Sequence, residues 1–369
     1  SVGASGDLTP LSYIAAVLCG EREVFYGGQV HSASDILRAK EIAPMVLAPK
    51  ESLALMNGTS AMVALNCFAY AHALRLTRLS ATLTAMAIDV LEGSKEHFDP
   101  RIHELKPHPG QMHFAAWIRN DLSWTEASSS QHRIQERYSL RCAPHIGGVL
   151  LDSLPWMRSF IEIEINSVND NPIVDMTTQR ILHGGNFYGG HMCYVADCLK
   201  NAVANIADML DRQLQLLCNP VTNNGLPANL VGSPPHARPS HHGFKAMQIS
   251  TSALAAEALK QTMPASVFSR STENHNQDKV SMGTIAAREC LRTIELTETI
   301  AAIHLLALCQ AVDLRGPQAC CSKSREMRAL VRQSVPQHTE DRRMDHDIAA
   351  VLEMLRNEKL PLTEMEHYL

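Results

Sequence analysis

The sequence predicts a mainly α protein built around a long central helical bundle, with a short β-hairpin. Three stretches carry that expectation. From Met192 the apolar residues fall at Val195, Leu199, Val203, Ile206, Leu210, Leu214 and Leu217. Every interval is three or four, as one face of a helix requires. At 1.5 Å per residue this helix spans roughly 39 Å. Ser60–Leu91 follows the same period. Met282–Val312 is different, because its apolar residues wrap nearly all round: Leu291, Ile294, Leu305 and Leu308 on one side, Leu296, Ile300 and Ile303 on others. A helix apolar on all sides belongs in the middle of a bundle.

The remaining elements are shorter. Arg325 to Arg356 reads as surface helices broken near Pro336. Asn171-Pro172-Ile173-Val174 through Arg180-Ile181-Leu182 suits a hairpin turning at Thr177-Thr178. Ile161-Glu162-Ile163-Glu164-Ile165 alternates like a strand, yet Leu150, Leu154, Met157, Ile161 and Ile165 also lie on one helical face, and helix is the expectation. Pro155 opposes it and marks a place for a kink. No linker rich in Gly, Ser or Pro divides the chain, and no tandem repeat is evident. The expected organisation is one all-α domain over residues 1–369.

Composition excludes several function classes. The chain has 369 residues, 45% hydrophobic and 19% charged, enough for a large core. Its formal charge of −5 comes with scattered Lys and Arg, so no nucleic-acid groove or polybasic patch is indicated. No uninterrupted apolar run reaches the length of a spanning helix. The ten cysteines form no Cys-x-x-Cys pair and read as buried thiols in a reducing, cytoplasmic setting. His103, His108 and His113 form one cluster, and His236, His241 and His242 another; neither matches a zinc spacing, and no metal is expected. The chain opens on Ser-Val-Gly-Ala-Ser-Gly-Asp-Leu without Met, which reads as a truncated or processed start with any targeting segment upstream.

Ala4-Ser5-Gly6 has chemistry of its own. Attack of the Gly6 nitrogen on the Ala4 carbonyl carbon closes a five-membered ring, and loss of water completes an imidazolone. Loss of the Ser5 hydroxyl as a second water leaves an exocyclic methylidene, a strong electrophile. Such closure needs a tightly folded backbone, which Gly permits. Alone, the tripeptide equally suits a turn before a helix, with Asp7 as the capping residue.

Context decides between them. Ser1-Val2-Gly3-Ala4-Ser5-Gly6-Asp7-Leu8-Thr9-Pro10-Leu11 resembles the signature of the ammonia-lyases and aminomutases that carry a 4-methylidene-imidazol-5-one (MIO) group. The resemblance continues in order along the chain. It runs through Met56-Asn57-Gly58-Thr59, Lys106-Pro107-His108-Pro109-Gly110-Gln111 and Gln135-Glu136-Arg137-Tyr138-Ser139-Leu140-Arg141. It continues at Asn166-Ser167-Val168-Asn169-Asp170-Asn171-Pro172, Gly184-Gly185-Asn186-Phe187, and Asn276-Gln277-Asp278 with Val280-Ser281-Met282.

That resemblance implies an aspartase/fumarase-like bundle and an MIO formed autocatalytically from Ala4, Ser5 and Gly6. It also implies a homotetramer whose active sites are each assembled from three subunits. Covalent activation of the substrate amine splits one hard elimination into easier steps. Arg141 is implied as the carboxylate clamp, with Gln135 as a hydrogen-bond partner and Tyr138 positioning or exchanging a proton. Asn57 and Asn186 polarise the ring carbonyl or orient the carboxylate, and Phe187 packs against substrate or ring. Glu273, Asn276 and Gln277 complete the substrate-binding set. Histidine-acting members typically carry Glu at the position of Gln277. The neutral amide, with Glu273, points instead to the branch acting on L-tyrosine or L-phenylalanine. The expected reaction is therefore release of ammonia from one of these to give the trans-acrylate. A 2,3-aminomutase, a histidine ammonia-lyase and a non-catalytic helical scaffold are the alternatives. His145 departs from the family's usual Gln. The family's catalytic tyrosine on a mobile loop belongs upstream of the MIO motif, so this chain is expected to lack the family's N-terminal segment.

Overall fold

The computed structural model describes residues 1–122 and 134–362. Its α-helices, in order, are α1 (Leu8–Leu18), α2 (Ala33–Ala39), α3 (Glu51–Met56), α4 (Ser60–Val90), α5 (Pro100–Glu104), α6 (Pro109–Asp121) and α7 (Tyr138–Arg141). There follow α8 (Ala143–Ile165), α9 (Gly190–Cys218), α10 (Lys245–Lys260), α11 (Gly283–Arg315), α12 (Ser322–Val331) and α13 (Asp345–Arg356). Two antiparallel hairpins complete it: β1 (Glu23–Tyr26) with β2 (Gln29–Ser32), and β3 (Ile173–Asp175) with β4 (Arg180–Leu182).

The long helices follow the apolar periods. In α9 the seven residues from Val195 to Leu217 that define the stripe are all fully buried. In α11, Ile294, Leu296, Ile300, Ile303, Leu305 and Leu308 are buried on every side, as an all-round apolar helix must be. This helix has the length and hydropathy to cross a membrane, but 89% of its most apolar window is buried inside the protein. The break near Pro336 separates α12 from α13. Residues 161–165 are helical, and α8 continues through Pro155. Its core face ends at Ile161, since Ile163 and Ile165 are exposed.

The second hairpin turns at Thr177-Thr178 as expected, with the Asp175 side chain accepting from Thr177 N at 2.9 Å. The first hairpin was not anticipated. Its turn is Gly27-Gly28, at φ 59° and 83°. Two positive-φ glycines between four-residue strands match the right-handed twist of a tight hairpin.

The chain divides into two compact units. One comprises Ser1–Tyr70, Trp156–Cys198 and Met263–Leu291; the other comprises Ala71–Pro155, Leu199–Thr262 and Arg292–Leu369. Four of the five crossings fall inside the helices α4, α8, α9 and α11, not in linkers. The first unit holds both hairpins and the N-terminal turn. In the second, buried polar groups join the helices. Arg78 of α4 pairs with Asp121 of α6 at 3.2 Å, both almost fully buried. Thr82 Oγ1 donates to the same carboxylate at 2.8 Å. Gln213 of α9 donates to Thr84 Oγ1 at 2.9 Å and accepts from His304 Nε2 of α11 at 3.2 Å.

Candidate functional site

The N-terminal turn is unusually tight. Gly3, Ser5 and Gly6 have φ of 82°, 50° and 74°, and Gly6 N donates to Gly3 O at 3.3 Å. Gly6 forms an isolated parallel bridge with Gly58, where Asp7 N donates to Gly58 O at 2.7 Å. A Cβ on Gly6 would lie 2.0 Å from that oxygen and 3.0 Å from Phe187 O. Only glycine fits there, both for its φ and for the backbone pressed against it.

Asp7 stands at the N-cap of α1 but makes no side-chain cap. Its buried carboxylate instead accepts from Met62 N at 2.7 Å and Thr284 Oγ1 at 2.5 Å. It thereby ties the turn to the first residues of α4 and α11. Burial pushes its carboxyl above the usual range, against the opposing hydrogen bonds from Thr284 and Met62.

Gln277 Nε2 donates to the Ser5 hydroxyl at 2.8 Å, while its Oε1 accepts from Thr272 Oγ1 at 3.1 Å. The preceding residues Glu273, Asn274 and His275 are all left-handed, at φ 51°, 51° and 67°. Left-handed helical backbone costs roughly 1–2 kcal/mol per L-residue. Mutual backbone hydrogen bonds between Thr272 and Gln277, at 2.9 and 3.2 Å, hold the loop shut. Glu273 and Asn276 are exposed on it.

Asn57 follows α3 and is buried. Its Nδ2 donates to Asp170 Oδ1 at 3.1 Å and Asn171 O at 3.0 Å. Asn186 Nδ2 donates to Val168 O at 3.0 Å, and half-buried Phe187 brings its carbonyl against Gly6. One unit thus gathers Ala4-Ser5-Gly6, Asn57, Asn186, Phe187 and Gln277. Three residues emerge beside them that the sequence reading did not single out: Lys50, Asp170 and Thr284. Asp170 and Thr284 lie in or next to recognised motifs, which was the available signal; Lys50 had none.

Gln135, Tyr138 and Arg141 lie in the other unit. Arg141 Nη2 donates to Gln135 Oε1 at 3.0 Å, and its Nε to Glu136 O at 2.9 Å. Its guanidinium stacks on the Tyr138 ring, 4.6 Å from the centroid. The other three N–H groups of the fork are free of partners among the described residues, enough for a bidentate grip on a carboxylate. His145 packs its ring 5.6 Å from that of His103. Its Nδ1 is buried without a partner among the described residues, and burial lowers its pKa. Among the described residues, no group of three or more His, Cys, Asp or Glu is arranged to hold a metal ion.

A mainly helical fold thus carries a tight Ser turn bounded by Gly3 and Gly6, with the Gln277 amide on its hydroxyl. The aromatic amino acid lyase family model matches residues 1–333, and the chain belongs to that family. It is 38% identical to the histidine ammonia-lyase of Koribacter versatilis, over 98% of this chain and 72% of that protein. The crystal structure of histidine ammonia-lyase from Trypanosoma cruzi superimposes with a TM-score of 0.89 at 31% identity, covering 99% of this chain and 71% of that one. Tyrosine aminomutase from Streptomyces globisporus gives 0.88 at 33% identity, covering 98% and 71%.

These relatives correct the substrate expectation. L-tyrosine or L-phenylalanine was inferred from Gln277, but curated relatives 34–39% identical across nearly the whole chain are named histidine ammonia-lyase. Before any ring closure the Gln277 donor is engaged by the Ser5 hydroxyl and its acceptor by Thr272. The relatives' names make a neutral amide at this position a weak guide to the substrate ring.

Proposed function

We propose that the protein is a histidine ammonia-lyase, converting L-histidine to ammonia and urocanate. The observation that carries this reading is the agreement of the curated relatives over 96–99% of the chain. The proposal includes an MIO formed from Ala4, Ser5 and Gly6. The turn fits such a ring: Ser5 and Gly6 are already left-handed, and the cradle of Gly58 and Phe187 backbone oxygens admits no side chain at Gly6. When formed, the group supplies an electron-poor carbon that activates the substrate amine for departure.

The chain's own residues have separable tasks in this reading. Arg141 grips the carboxylate through its open N–H groups, while Gln135 and Glu136 O fix its plane. Tyr138 moves a proton from beneath that guanidinium. Gln277 stands beside the Ser5 position, with Asn57, Asn186 and Phe187 in the same unit and Glu273 and Asn276 on the adjoining loop. A homotetramer with shared active sites belongs to the proposal. Exposed apolar side chains such as Val46, Phe68, Ile163 and Tyr194 support burial against further subunits.

The test is incubation of full-length protein with L-histidine, following the near-UV absorbance of urocanate. Faster product formation from another aromatic amino acid overturns the substrate. Chromatography for a β-amino acid addresses an aminomutase, which the likeness to the Streptomyces globisporus enzyme keeps as the second reading.

A further inference from the structure

Asn57 is held by the Lys50–Asp170 ion pair, of which only Asp170 lies in a family motif. Both acceptors of its Nδ2, Asp170 Oδ1 and Asn171 O, are oxygens with no proton to give at neutral pH. This settles the orientation of the amide: both N–H groups face the Asp170 loop. The side-chain oxygen faces away, and among the described residues no donor reaches it. Asp170 is itself fixed. Its Oδ1 also accepts from Asn171 N at 2.7 Å, and its Oδ2 pairs with Lys50 Nζ. Lys50 precedes α3 with a left-handed backbone, φ 79°. Asn171 Oδ1 in turn accepts from Gly184 N at 2.8 Å, which ties the arrangement to the segment carrying Asn186 and Phe187.

We propose that Lys50 and Asp170 are positioning residues for the lyase reaction. They pin the Asn57 amide by its N–H groups, so that its side-chain oxygen is presented to the substrate as a hydrogen-bond acceptor. The inference rests on the lyase reading above. An acceptor suits the amino group of an amino acid, which brings N–H donors, and is unsuited to its carboxylate. Polarising a ring carbonyl or orienting a carboxylate would need an N–H of Asn57, and both are held. Asp170 is suited to the task because it remains an acceptor. Burial raises its carboxyl pKa, but the hydrogen bonds from Lys50, Asn57 and Asn171 outweigh this and leave it lowered. The Lys50 ammonium stops the carboxylate from swinging to solvent, and charge-assisted bonds of this kind hold geometry more firmly than neutral ones.

The experiment compares full-length wild type with Asp170→Ala, Lys50→Met and Lys50→Arg. Three quantities are read: kcat and KM for L-histidine, the intact mass, and the thermal midpoint. Ring formation removes one water using the Ala4 oxygen and one using the Ser5 hydroxyl, so a mature chain lacks the mass of two waters. Asp170→Ala is expected to keep that deficit and lose about 100-fold in kcat, the scale of a misplaced reactive group. Its KM should change far less. Lys50→Met should show a smaller loss of the same kind, and Lys50→Arg should recover most of it.

A kcat within about threefold of wild type in Asp170→Ala, where a misplaced group should cost far more, overturns the proposal. So does a loss that appears only as an unprocessed triad, or one that Lys50→Arg fails to recover. If wild type turns over another aromatic amino acid in place of histidine, the substrate reading falls instead. The same variant ratios, measured with that amino acid, then test the positioning role.

Discussion

Two polar clusters in this protein are built in opposite ways. Around Ser5, the groups come from turns and loops: left-handed Ser5, Gly6 and Lys50, and the left-handed run Glu273–His275. Around Arg78 and Gln213, they come from regular helices, with Thr82, Thr84, Asp121 and His304 completing the bonds. Irregular backbone can aim groups at one point from several directions, but it holds them in strained conformations. Helices present groups only at their own spacing, yet satisfy their backbone internally. The first arrangement suits chemistry and the second suits stability, so substitutions should separate the two.

The largest separation is expected at Ser5. Ser5→Ala should lower urocanate formation by at least about 10³-fold, the scale of losing a covalent catalytic group. The intact mass should lack the two-water deficit, while the thermal midpoint stays near wild type. Wild-type turnover in this variant would remove Ser5 from the chemistry altogether. The converse is Asp121→Ala. It removes the Asp121 carboxylate from the buried Arg78 guanidinium, and breaking a buried pair costs about 3–5 kcal/mol. Denaturant unfolding should show that loss, with kcat per folded molecule little changed. A negligible shift would mean that this helix-borne pair does not hold the unit together.

The contrast also explains what could be read in the sequence. The α4, α9 and α11 helices were legible because core packing imposes a period of three and four on nearby residues. Ala4-Ser5-Gly6 stood out only with the ordered motifs around it, since alone the tripeptide equally suits a turn. The hairpin at residues 23–32 was missed: its four-residue strands are too short to stand out, although Gly27-Gly28 carried the turn. Lys50 was illegible, and Asp170, though inside a recognised motif, gave no sign of its partner, since the two meet across 120 positions and only the fold brings the charges together. Arg78 and Asp121 are 43 residues apart in two helices, so nothing local in either stretch names the partner. Gln277 shows a further limit. Its identity was plain, but the substrate read from it was overturned by the relatives, and its contact with Ser5 Oγ spans 272 positions.

Arg141 sharpens the comparison, because it has loop-like chemistry on a short helix. Arg141→Lys retains the charge but loses the fork that Gln135 and Glu136 orient. About 100-fold should be lost from kcat/KM, given 1.5–3 kcal/mol for a hydrogen bond to a charged group. Most of it should appear in KM if the guanidinium holds the carboxylate in ground and transition states alike. A loss confined to kcat would move Arg141 from binding to the reacting centre.

The smallest effect concerns pH and belongs to the helix-borne cluster. His304 is fully buried in α11, donates from Nε2 to Gln213, and has its pKa lowered to about 3 by burial. In the unfolded chain the same imidazole titrates near 6.5. Between these values the unfolded state binds a proton that the folded state refuses. Stability is therefore fully present above pH 6.5 and falls as the pH drops below it, by up to about 1.4 kcal/mol per pH unit for this one group. His103 and His145 are lowered by burial as well and act in the same direction. His304→Gln keeps an amide donor for Gln213 and removes the titration. Denaturant midpoints at pH 6.5 and 5.0 should fall less steeply in this variant than in wild type. Equal slopes would show that His304 gains access to protons without unfolding, and the helical core would then be less closed than its packing requires.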